Sequence, residues 1–136
     1  MALTTFVRSI LAIVAAYATL AIASTLVQET LLGGVSYINS PISILVLAGF
    51  LTPLCAVVSG GVAALVAGRL PYRHASVIAL LVAMETAYLY TRHLVDGPFW
   101  FEASAGGALI LGLYAGAYLA QKRVSHCKLE EELEEA

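Results

Sequence analysis

The sequence predicts an all-α integral membrane protein, an up-down bundle of four transmembrane helices with both termini on the cytoplasmic side. Three observations carry that expectation. Of 136 residues, 60% are apolar and only 12% charged, with a mean hydropathy of +0.88; soluble domains hold about 45–50% apolar and about 25% charged residues. The apolar residues gather in four stretches of the roughly 20 residues that a helix needs to cross the hydrocarbon core. The basic residues divide unevenly between the two ends of those stretches. The same composition excludes a disordered chain, which would be rich in charge and poor in Leu, Ile and Val.

The first span is expected over 7–28. Arg8, the apolar run after it and Ala21-Ile22-Ala23 share features with a secretory signal; the stretch is read here as a retained membrane helix. The second span, 42–67, is long and contains Pro53. A proline at that place removes one backbone hydrogen bond and kinks the helix, which lets a long segment fit. The third span is expected over 75–95 and the fourth over 101–120. A charged cytoplasmic helical tail follows over 121–136, with Leu129 and Leu133 on one face and Lys128 placed to pair with Glu132 at i, i+4. The connections 29–41, 68–74 and 96–100 are short, so sequential helices should run antiparallel.

Orientation follows from the basic residues. With the N-terminus inside, that side carries Arg8, Arg69, Arg73, Lys122, Arg123 and Lys128, against Arg92 alone on the other. Cytoplasmic loops collect Lys and Arg, so both termini are placed inside, as in a bacterial-type cytoplasmic membrane. Tyr37, Tyr90, Phe99, Trp100 and Phe101 would form an outer aromatic belt. The net charge of −2 says little, because five of the nine acids sit in the last seven positions.

Helices gain little hydrophobic energy by leaving lipid for one another, so close backbone approach and polar bonds must hold the bundle together. Small residues recur every fourth position at Ala56, Gly60, Ala64 and Gly68 in the second span. Ala108, Gly112, Gly116 and Ala120 repeat the pattern in the fourth. Each row makes one smooth face, suited either to packing within the chain or to docking a partner.

Glu85 is the sharpest polar feature, because it lies near the middle of the third span. A carboxylate at mid-bilayer costs roughly 2.5–3.5 kcal/mol on insertion scales and needs a partner, water or a proton. Tyr88, Arg92 and Asp96 follow at i+3, i+7 and i+11, forming one stripe that leads from mid-membrane toward the outer surface. One reading makes this stripe an ion or proton site; the other makes Glu85 interhelical glue bonded to Thr52, Ser59 or Tyr114, or to another subunit. Arg92, His93, Asp96, Glu102 and Glu29 are expected to form a salt-bridged outer rim.

Other chemistries find little in the sequence. Cys55 and Cys127 lack a metal-ligand or CxxC spacing, so neither a disulfide nor a metal is expected. The three histidines do not bracket the membrane as haem ligation would require, and no cofactor is expected. Gly33-Gly34 and Gly60-Gly61 lack the strand–turn–helix setting of a nucleotide site. No basic surface with interleaved aromatics appears, so nucleic acid is not an expected partner, and no nucleophile motif indicates an enzyme. The expected function is a structural or accessory subunit of a membrane assembly, packed in the lipid bilayer against itself or other membrane subunits. The alternative is a small proton- or cation-coupled transporter or channel that uses Glu85.

Overall fold

The computed structural model describes the backbone of residues 2–68 and 70–134 and the side chains of residues 4–68 and 70–126. The described residues form four helices: α1 (Ala2–Thr25), α2 (Ile42–Ala67), α3 (Pro71–Thr91) and α4 (Phe99–Glu134). Four helical segments are long and apolar enough to cross a bilayer: Thr4–Leu31, which runs past the end of α1, Ile42–Ala67, Pro71–Thr91 and Phe99–His126. The chain is therefore a multi-pass integral membrane protein built as a helical bundle.

The helix ends have local causes. α1 runs on through a π-helical segment, Leu26–Leu31, which closes with the Leu32 N–H donating to the Val27 carbonyl at 3.0 Å. The wider turn brings Gln28 to α2, where its Nε2 donates to Thr52 Oγ1 at 3.2 Å. α2 starts after Pro41 and stops at Gly68, whose φ of 65° lets its N–H turn back to the Ala64 carbonyl. There Arg8 Nε donates to the Val66 carbonyl at 2.7 Å, placing a cation on the negative end of the α2 dipole.

The third span was expected over 75–95 and lies four residues earlier. Pro71 occupies the start of α3, where its missing N–H costs nothing. At the other end, His93 takes a left-handed φ of 53° and Leu94 N–H donates to the Leu89 carbonyl, so the chain leaves the helix although Leu94 and Val95 are apolar. α4 also exceeds its expected span: 36 residues reach about 54 Å, so the helix carries the charged tail well beyond a bilayer. The side chains of Cys127, Lys128, Leu129, Glu132 and Leu133, and all of Arg69, lie outside the described residues.

α2 packs most extensively on α4 and then on α1, while α1 and α3 have comparatively little contact. The α2–α4 seam is a backbone approach. A Cβ on Gly60 would run into the Leu113 carbonyl, one on Gly116 into the Val57 carbonyl, and one on Gly112 would lie 2.6 Å from the Pro53 carbonyl. Beside this seam the core is largely alanine: Ala12, Ala16, Ala56, Ala63, Ala75 and Ala117 are fully buried with Ile78 and Leu113. Ser59, the buried polar side chain of the described residues, donates to the Ala16 carbonyl at 2.6 Å and so ties α2 to α1.

Candidate functional site

Tight packing is confined to one half of each helix. In the other half the four helices part around a cavity of about 700 Å³. Its walls come from residues 17–28, 45–53, 82–89 and 101–109, and its mouth from 35–37 and 94–97 in the two connections at that end. Small residues explain the difference. At Gly60, Gly112 and Gly116 they admit a neighbouring backbone; at Ala48, Gly49, Ala105 and Ala108 they line open space. The floor lies near Tyr17, Pro53, Val82 and Leu109. One or two helical turns beyond it come Ser59, Ile78 and Leu113, which are fully buried.

Glu85 stands at this floor. Its Oε2 accepts a hydrogen bond from the Tyr17 hydroxyl at 2.7 Å, a short bond as expected for a donor facing a carboxylate. Above it, Gln28 and Thr52 are joined across the α1–α2 wall, and Thr86 fills the space that Gly106 leaves on α4. Thr86 Oγ1 donates to the Val82 carbonyl one turn earlier in α3 at 2.9 Å. Pro53 has no N–H to offer the Gly49 carbonyl, and both residues line the cavity.

The mouth is acidic as well. Asp96 accepts from Ser36 Oγ at 3.3 Å, which links the two connections. Glu102 lies in the first turn of α4, where a carboxylate complements the helix dipole. Its Oε1 comes so near Gly97 that a Cβ there would be 2.6 Å away. The cavity thus holds three carboxylates, Glu85, Asp96 and Glu102, and none of its lining residues is Lys, Arg or His. A low-dielectric cleft lined by one sign of charge concentrates the opposite ion.

The expected stripe does not survive as one line. α3 ends at Thr91, so Asp96 reaches the cavity from the loop. Arg92 instead places its guanidinium over the Tyr88 ring at 5.7 Å, and neither residue lines the cavity. The salt-bridged rim is absent too: among the described residues no ion pair joins Arg92 or His93 to Glu29, Asp96 or Glu102. The three residues proposed as partners of Glu85 are engaged elsewhere, Thr52 with Gln28, Ser59 with Ala16 and Tyr114 with Ser76 at 2.8 Å. The partner is Tyr17, which sequence reasoning overlooked. Its signal was depth, since a phenol near the middle of the first span must also find a partner.

Other sequence-marked residues fall at the two ends. Tyr37 packs near Phe101 and Trp100, at centroid distances of 4.9 and 6.2 Å, and Tyr90 meets Phe99 at 5.2 Å, so the five aromatics form two groups, of which Tyr37 and Phe101 line the cavity. Arg8 caps α2 at the packed end. Among the described residues no group of three His, Cys, Asp or Glu side chains is placed to hold a metal ion.

No family model, no curated protein and no solved structure matches the chain. The site stands on its own geometry.

Proposed function

We propose that this small membrane protein takes up protons or cations through the acidic cavity, with Glu85 as the proton- or cation-binding group at its floor. The observation that carries the reading is the Tyr17–Glu85 pair at the end of a cavity with three carboxylates and no basic lining residue. A carboxylate at mid-membrane is expensive unless it faces a partner or a cavity, and this one has both. The orientation that fits is N-in and C-in with an up-down helix order. Arg8, Arg73, Lys122 and Arg123 then lie inside with the packed half, and the mouth, with its aromatic cluster, opens outward. Contacts from Arg8 to Val66, Ala16 to Ser59 and Gln28 to Thr52 fit an antiparallel α1–α2 pair.

Coupled transport would require the layer of Ser59, Ile78 and Leu113 to part once the site is filled, which makes the described form the outward-open one. A role as an accessory subunit draws less support. Gly60, Gly112 and Gly116 are taken up by the α2–α4 seam, so the middle of the two small-residue rows offers no free docking face.

The test is flux in proteoliposomes under an imposed pH or cation gradient. The reading expects a flux that Glu85→Gln reduces by at least about tenfold, the loss of one charge-assisted interaction. A wild-type chain without flux, or a Glu85→Gln chain with the same flux, overturns it.

A further inference from the structure

The size and lining of the cavity point beyond a bare ion. We infer that its ligand is an organic cation, an ammonium group carried on an apolar body, with the ammonium at Glu85 and the body against the cavity wall. The inference rests on the cation-handling reading above and narrows it to a ligand class.

Three observations carry it. First, a volume of about 700 Å³ falls within the roughly 300–1,000 Å³ of small-molecule sites and is many times what an ion needs. Second, the carboxylates are spread out. Glu85 lies at the floor, Asp96 and Glu102 at the mouth, and no group of three ligating side chains among the described residues is placed for a metal ion. Calcium takes six to eight oxygens close together and magnesium a near-ideal octahedron; one carboxylate at the floor supplies neither. Third, between the two acidic levels the wall combines the polar side chains of Gln28, Thr52 and Thr86 with an apolar and aromatic part formed by Leu20, Leu45, Leu89 and Phe101. Such a wall suits the hydrocarbon part of an amphipathic cation, and ring faces attract its charged head.

The bonding at Glu85 completes the fit. Tyr17 occupies Oε2 and leaves Oε1 without a hydrogen-bond partner among the described residues. Oε1 can therefore accept from a primary amine or face a quaternary nitrogen. Asp96 and Glu102 at the mouth raise the local concentration of any cation before it descends. The ammonium could be that of a free amine or of a phosphatidylethanolamine headgroup, since the chemistry is the same and the cavity is embedded in lipid.

The experiment titrates benzyltrimethylammonium into the full chain in nanodiscs of phosphatidylglycerol alone, read by calorimetry, and repeats it in discs containing phosphatidylethanolamine. The inference expects saturable binding in phosphatidylglycerol. Glu85→Gln should weaken it about tenfold or more, Tyr17→Phe should change it by a smaller factor, and millimolar sodium or calcium should not displace it. Weaker apparent affinity in phosphatidylethanolamine discs assigns the site to the lipid headgroup; equal affinity assigns it to a free amine. No saturable binding by a wild-type chain that still shows Glu85-dependent proton or sodium flux overturns this inference and leaves the broader reading intact. Absence of both overturns both. Tyr17→Phe and a matched elution profile for Glu85→Gln in size-exclusion chromatography separate loss of the site from loss of the fold.

Discussion

The Tyr17 hydroxyl donates to Glu85 Oε2 at 2.7 Å, joining α1 to α3 where those helices otherwise have comparatively little contact. The pair lies where the chain changes character, between a half packed through glycine and alanine and a half that encloses space. Its two members can be separated experimentally. Glu85→Gln keeps an acceptor for the phenol, so thermal stability in detergent should fall by less than about 1 kcal/mol while cation handling is lost. Tyr17→Phe removes the donor and should cost about 1 kcal/mol of stability. The reverse order of effects would make Glu85 a structural residue.

The α2–α4 seam should be intolerant of side chains. Gly60→Ala and Gly116→Ala each push a methyl into a facing carbonyl and should cost about 1–3 kcal/mol through overpacking. Gly107→Ala, which meets nothing within 4 Å, should be neutral or slightly stabilising by helix propensity. Unfolding in mixed micelles distinguishes them, and equal effects at all three positions would contradict the seam.

Arg8 and Gly68 should act together at the end of α2. Arg8→Ala removes the guanidinium from the Val66 carbonyl and should cost about 0.5–1 kcal/mol. Gly68→Ala forces a side chain into a positive φ and toward that guanidinium, for about 1 kcal/mol. Hydrogen exchange at the Gly68 amide should quicken in both variants, because its bond to the Ala64 carbonyl holds the turn. Unchanged protection in Arg8→Ala would show that the cap is idle.

The proposed topology, argued from the charge distribution, can be checked independently of function. A fluorescent protein fused after Ala136 should fluoresce, and alkaline phosphatase fused there should be inactive, since the C-terminus is placed inside. The opposite pair of results would invert the membrane orientation and turn the cavity mouth inward.

The spans were legible because hydropathy over about 20 residues is a strong signal. The second was expected over 42–67, the bounds of α2. Helix ends were less legible where the cause is conformational. Leu94 and Val95 read as a continuing apolar run, yet a left-handed His93 takes the chain out of α3 and breaks the stripe from Glu85 to Asp96. The small-residue rows were visible at their spacing of four, but spacing does not name a partner; the close approaches of Gly60 to Leu113, Gly112 to Pro53 and Gly116 to Val57 show that their central glycines pack between α2 and α4. Glu85 was conspicuous by its rarity at that depth. Tyr17 was not, because a pairing across 68 positions leaves no local trace. The cavity was invisible for a related reason: alanines and glycines at Ala48, Gly49 and Ala105 look the same in sequence whether a backbone or open space lies opposite.

The most direct measurement of the central claim is the accessibility of the cavity wall above Glu85 to a charged thiol reagent. In a chain carrying Cys55→Ser and Cys127→Ser, single cysteines replace Thr52 on the cavity wall and Ile78 in the packed layer. Impermeant reagents, one cationic and one anionic, are then added from outside to oriented vesicles. The account predicts rapid modification at Thr52→Cys by the cationic reagent, about tenfold or more slower modification by the anionic one in the field of the three carboxylates, and none at Ile78→Cys. No reaction at Thr52→Cys, or equal rates with both reagents, would contradict an outward, cation-selecting cavity ending at Glu85.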